Sequence, residues 1–147
     1  MTGSAISAEA VRAAHELRVV FSRLRRRLRE VANRNGLTPS QVSVLSRLAT
    51  SGPASASDLA AAERVRPQSM AAILAPLTEQ GLVARTPDPT DGRRQLVSLT
   101  VAGQARVEGD RQAREEWLAR ALQERYTDAE RATIVEALAL LDRLTGS

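Results

Sequence analysis

Leu82–Thr100 reads LVARTPDPTDGRRQLVSLT, two strand-like runs around a turn. Val83–Thr86 is one candidate strand, and Gln95–Leu99, in which polar and apolar positions alternate, is the other. Between them Pro87 and Pro89 fix φ, Asp88 and Asp91 offer carboxylates to nearby N–H groups, and Gly92 permits positive φ. The chain must therefore reverse here, and the reversal carries Arg93 and Arg94 near its tip. An arm of this kind is suited to touching a polyanion.

The residues before the arm give it a context. Pro67–Gln80 has the spacing of a helix: Met70, Ile73, Leu74 and Leu77 fall at i, i+3, i+4 and i+7, which leaves Gln68, Ser69, Ala71, Ala72 and Ala75 facing outward. Gly81 stops it. Pro76 lies inside and removes one backbone hydrogen bond, so a kink or an early stop is expected there. Further upstream Thr38, Pro39 and Gln41 form a helix start, with Thr38 as N-cap and Gln41 as its reciprocal partner. Val42, Leu45, Leu48 and Ala49 give that helix its inner face. Ser55 or Ser57 caps the next helix, with Asp58 in its first turn and Leu59, Ala60 and Ala62 on its apolar side. Two short helices joined through Arg64–Arg66 and followed by a hairpin follow the winged helix-turn-helix order. In that geometry the second helix enters the major groove N-terminus first and the wing reaches the backbone or the minor groove.

Long helices flank this core. Ala8–Asn33 carries Ala14, Leu17, Phe21, Leu24, Leu28 and Val31 as a heptad-like seam and ends at Asn35 and Gly36. A seam of that length is hard to cover within a small domain, which points to a helix from a second chain; the alternative is a core helix with a wet basic face. After the arm, Gly103–Gln123 reads as a helix with Val107, Trp117, Leu118, Ala121 and Leu122 on one side. Thr127 and Glu130 form a second capping box before Ile134, Val135, Leu138, Leu141 and Leu144. The expectation is a mainly α fold with a small β-hairpin wing. Residues 37–100 make the DNA-binding core, and 9–35 with 102–147 make dimerisation helices of a single domain spanning 1–147.

Composition narrows the function classes. The 147 residues contain no cysteine, which excludes a disulfide framework and a thiol oxidation sensor. No apolar run suggests a leader or a membrane span, so a cytoplasmic location without membrane partners is expected. Residues 1–100 hold 14 Arg against 8 Asp and Glu, a balance of +6, whereas 101–147 hold 7 against 9, a balance of −2. The positive potential thus belongs to the first two thirds of the chain, where nucleic acid would be attracted, although a solvated surface gives the same bias. Only Phe21, Trp117 and Tyr126 are aromatic and none is in the hairpin, so base stacking of the single-strand kind has little support. His15 is the single histidine and has no nucleophile or metal-ligand partner in the sequence, which argues against an enzyme and against a cofactor or metal site.

The chain resembles the MarR (multiple antibiotic resistance regulator) family of bacterial transcription factors over about residues 10–145. The wing pattern Asp91, Arg93, Val97, Leu99 and Thr100 stands without a gap. Leu37–Gln41, Asp58 with Leu59, and the run Gly81, Leu82, Val83 and Arg85 follow at the family's spacing. The resemblance implies a homodimer with interlocked terminal helices, reading a near-palindromic double-stranded DNA operator. It implies that Arg93 enters the minor groove and that Asp91 steadies it. It also implies a small lipophilic or anionic effector in a cleft between the dimer layer and the winged helix, for which His15 and the arginines at 23–29 are candidates.

Physical chemistry adds the remaining assignments. A planar guanidinium at Arg93 fits the negative potential of a narrow minor groove, a solvated turn ion pair being the alternative. Arg94 and Arg66 are expected on phosphates. Gln68 and Ser69 are the first choices for base edges, unless they merely cap the first turn, and Ala72 with its alanine neighbours suits thymine methyls. A dimer covering a promoter blocks polymerase without further contacts, so repression is expected before activation. A winged-helix dimer that binds protein instead of DNA is the rival reading.

Overall fold

The computed structural model describes residues 4–32 and 36–146. The expected end of the first helix at Asn33 and the stop at Asn35 lie outside them. In chain order the elements are α1 (Ala8–Ala32), α2 (Pro39–Ser51), α3 (Ala56–Glu63), α4 (Pro67–Glu79), β1 (Val83–Pro87), β2 (Gln95–Leu99), α5 (Val101–Arg125) and α6 (Asp128–Asp142), with a 3-10 turn at Arg143–Thr145.

Local chemistry sets most boundaries. At α2, Thr38 Oγ1 accepts from Gln41 N at 3.2 Å while Gln41 Oε1 accepts from Thr38 N at 2.9 Å, satisfying two N–H groups that no helical carbonyl reaches. Ser55, and not Ser57, caps α3, its Oγ accepting from Asp58 N at 3.1 Å. Between α3 and α4 Arg64 takes a left-handed conformation with φ 55°, the tight bend of the helix-turn-helix. Pro76 does not stop α4. The helix runs one further turn to Glu79, and Gln80 N reaches Pro76 O at 3.0 Å. The proline sits in the last turn, and the carbonyl it orphans belongs to exposed Ala72, where water can bond it.

Arg131 joins the two C-terminal helices. Its guanidinium donates to the carbonyls of Leu122 at 3.1 Å and Gln123 at 3.3 Å, closing the end of α5, while Thr127 and Glu130 open α6 with the expected box.

β1 and β2 pair antiparallel from Val83 opposite Leu99 to Pro87 opposite Gln95. Pro87 extends the first strand by one residue beyond the sequence expectation, which a proline at the end of an edge strand permits. Ala54 adds an isolated bridge to Val97, so the segment before α3 lies against the wing.

The core lies between positions 37 and 97. Val44, Leu45 and Leu48 from α2, Leu59 from α3, Met70, Leu74 and Leu77 from α4, and Val83 and Val97 from the hairpin close on one another. Burying these side chains stabilises the unit by roughly 1.5–3 kcal/mol each before conformational entropy is charged. The outer helices are different: α6 buries no residue, and Phe21, Val135, Leu138 and Leu144 are 59–75% exposed. Large apolar side chains left exposed in such number point to an interaction face. None of the helices among the described residues is long and apolar enough to cross a membrane.

The wing is fixed to α5 by a close approach. Thr100 caps α5 through its Oγ1 and Gly103 N at 3.0 Å, donates its own N–H to Leu82 O at 3.1 Å, and gives its hydroxyl proton to Gly81 O. A Cβ on Gly103 would stand 2.0 Å from Leu82 O, so only glycine lets the helix pass.

Candidate nucleic-acid interface

The candidate surface is assembled from the outward face of α4 and the tip of the wing. With Met70, Leu74 and Leu77 buried, the 3.6-residue period leaves Gln68, Ser69, Ala72 and Ala75 exposed, as the sequence spacing predicts. Arg66 is the N-cap of α4 and its side chain makes no capping bond. The first N–H groups of α4 and the Arg66 guanidinium therefore form a locally positive helix start. Among the described residues the Gln68 and Ser69 side chains likewise make no capping bond at this start. They stand exposed in its first turn, available to an external partner.

The wing tip is an ordered turn. Asp88 accepts from Thr90 N at 2.9 Å and from Thr90 Oγ1 at 2.8 Å, and these bonds, the backbone one first, hold its carboxyl below the ordinary aspartate range. Arg94 N donates to Asp91 O at 3.0 Å and Asp88 N to Arg94 O at 2.8 Å. Asp91 Oδ1 accepts from the backbone N–H of Arg93 at 3.1 Å. Asp91 thus shapes the main chain under Arg93, whereas the sequence suggested that it directs the guanidinium. Among the described residues no hydrogen bond or ion pair holds the Arg93 guanidinium, and the residue is exposed.

Arg94 behaves otherwise. Its Nη2 donates to Ser55 Oγ at 2.8 Å and pairs with the Asp58 carboxylate, so the side chain turns back to α3. The two tip arginines, equivalent in sequence, are separated by the fold into one free and one engaged. Sequence reading missed this because Ser55 and Asp58 already had a complete local role as a cap and a first-turn acid.

A second feature is a cleft among the helices. It encloses about 500 Å³ among α1, α2, α3 and α5 and is lined by Arg25, Arg29 and Arg114, by the apolar Leu28 and Val42, and by Ser43 and Glu63. Glu63 is fixed by Ser43 Oγ at 2.8 Å and Arg47 Nε at 3.0 Å. Two members of the 23–29 arginine cluster therefore line it. His15 does not: it lies in an open groove on α1 with Arg18, Val19, Ser22, Arg23 and Arg26. Arg114, Ser43 and Glu63 carried no sequence signal, since they meet only when three helices pack. Among the described residues no three His, Asp or Glu side chains gather as a metal site requires.

A helix-turn-helix of α3 and α4 with an ordered basic wing defines a winged-helix DNA-binding regulator. The MarR family profile matches residues 37–94. An uncharacterised HTH-type transcriptional regulator of Mycobacterium bovis is 42% identical over 111 residues, covering 76% of this chain and 78% of that protein. The solved structure of a Pseudomonas aeruginosa protein described as a transcriptional regulator superposes with a TM-score of 0.81 at 37% identity, covering 97% of this chain and 99% of that one. A Bacillus subtilis protein named as the HTH-type transcriptional repressor MdtR is 29% identical over 92 residues, covering 63% of this chain and 59% of that protein. The chain belongs to the MarR family of DNA-binding transcriptional regulators.

Proposed function

We propose that the protein is a cytoplasmic homodimeric repressor that reads a near-palindromic operator and releases it when a small lipophilic or anionic effector binds. The observation that carries the DNA reading is the free Arg93 guanidinium on an ordered wing beside an α4 whose exposed face offers Gln68, Ser69 and Ala72. Gln68 and Ser69 take base edges, Ala72 a thymine methyl, Arg66 a phosphate, and Arg93 the minor groove, with Asp91 holding its backbone. The exposed apolar residues of α1 and α6 support a two-fold partner, which brings two copies of α4 to half-sites about 10 bp apart. The whole chain then acts as one unit, residues 37–100 reading DNA and the terminal helices holding the dimer.

The arginine-lined cleft supports the effector. Arg25, Arg29 and Arg114 offer charge to an anion while Leu28 and Val42 accept its apolar body. Because the cleft joins α1 and α5 to α2, an occupant that prefers one arrangement changes the spacing of the two recognition helices. Repression is supported by the B. subtilis relative named as a repressor. The test is selection of duplexes from a random pool, followed by footprinting and sedimentation of the complex. Two symmetric half-sites bound by two chains would agree with the proposal; a single asymmetric half-site bound by one chain would contradict it.

A further inference from the structure

Arg94 is the junction of the wing. Its N–H donates to Asp91 O, its C=O accepts from Asp88 N, and its guanidinium reaches Ser55 Oγ and the Asp58 carboxylate on another element. Ser55 is 5% exposed and is itself oriented by capping α3. One residue earlier, Ala54 exchanges both backbone bonds with Val97, at 3.1 and 2.8 Å. The wing is thus tied to the start of α3 at two heights, by main chain at Val97 and by side chain at Arg94. Beyond Arg94, among the described residues, the tip carries only its own turn bonds.

We infer that Arg94 is a positioning residue: it clamps the wing tip to α3 through Ser55 and Asp58, and so sets where Arg93 enters the groove. A two-stranded hairpin alone is marginal in water, and a planar guanidinium bridging a hydroxyl and a carboxylate is a directional tie that a point charge would not supply. Fixing the tip before DNA arrives removes part of the ordering cost of binding. Arg94 is also already neutralised by Asp58, so it releases few counterions on binding. The inference rests on the proposed insertion of Arg93 into the minor groove.

The experiment measures binding of wild type, Arg94→Ala, Asp58→Asn, Arg93→Ala and Arg93→Ala/Arg94→Ala to the tightest selected duplex across a salt series. The clamp predicts that Arg94→Ala and Asp58→Asn each weaken binding by roughly three- to tenfold without changing the salt slope. It also predicts that Arg94→Ala adds nothing once Arg93 is removed. Hydrogen exchange of the free proteins, which needs no DNA, should quicken at the amides of Asp88 and Arg94 in both clamp variants. Tighter binding by Asp58→Asn would overturn the clamp, because it would mean that freeing Arg94 helps. A slope lower by about 0.9 per lost contact in Arg94→Ala would do the same, by making Arg94 a phosphate ligand. Unchanged affinity in Arg93→Ala would overturn the minor-groove reading and the clamp with it, whereas a loss there with unchanged amide exchange in the clamp variants would overturn the clamp alone.

Discussion

Gly103→Ala offers a sharp stability test, because two opposing effects of known sign meet at one atom. In an exposed helix interior the change stabilises by about 0.8–1 kcal/mol through backbone entropy. Here the new Cβ would stand 2.0 Å from Leu82 O, 3.0 Å from Leu82 C and 3.1 Å from Leu99 Cδ2. The first distance is roughly 1.5 Å inside favourable non-bonded contact, and the atom it meets is backbone, which no rotamer change can move away. Relief requires α5 to withdraw from the base of the wing, stretching the bond from Thr100 N to Leu82 O. Overpacking of this kind costs about 1–3 kcal/mol, more where backbone must move, so the net expectation is destabilisation by about 2 kcal/mol. Gly109 lies in the same helix with nothing within 4 Å, so Gly109→Ala should be neutral or stabilising by up to about 1 kcal/mol. Urea unfolding of both variants at one fixed protomer concentration compares them. A Gly103→Ala midpoint at or above wild type would refute the close approach.

Three further expectations can be checked together. Leu74 is fully buried at the centre of α4, so Leu74→Ala should cost about 3–4 kcal/mol in the same urea assay. Leu138 is 59% exposed on α6, and Leu138→Glu should shift sedimentation from dimer toward monomer while leaving helix content by circular dichroism intact. The Glu130 carboxyl is held below its ordinary value by the backbone N–H of Thr127 first and its side chain second. A carboxylate depressed in the folded state contributes stability above its unfolded pKa and loses it as pH falls through the folded pKa. Glu130→Gln keeps an acceptor for the Thr127 N–H, so its stability deficit should be present at neutral pH and shrink below about pH 4; a deficit independent of pH would count against the bond.

The parts of this fold that were legible in the sequence are those whose causes are local. The capping boxes at Thr38 with Gln41 and at Thr127 with Glu130 form as the spacing predicts, and Met70, Leu74 and Leu77 face the core as their period requires. The reversal at Pro87–Gly92 follows from turn chemistry, though Pro87 itself joins the strand. Pro76 does not bring the early stop because a proline's cost depends on where its orphaned carbonyl points, and Ala72 is exposed. Contacts between distant segments left no trace. The bridge from Ala54 to Val97 is a single residue with no pattern, and the cleft draws Arg25, Ser43, Glu63 and Arg114 from four elements. Arg94 and Asp58 are 36 positions apart, and each had a sufficient local reading of its own.

The most direct test of the central claim is the affinity of wild type and Arg93→Ala for the selected duplex and for a shuffled duplex of equal composition, at two salt concentrations. Wild type should prefer the selected duplex by about a thousandfold or more, and Arg93→Ala should lose about 1–3 kcal/mol on it. Equal affinity for both duplexes, or an Arg93→Ala isotherm that superposes on wild type, would contradict a wing and recognition helix that read DNA.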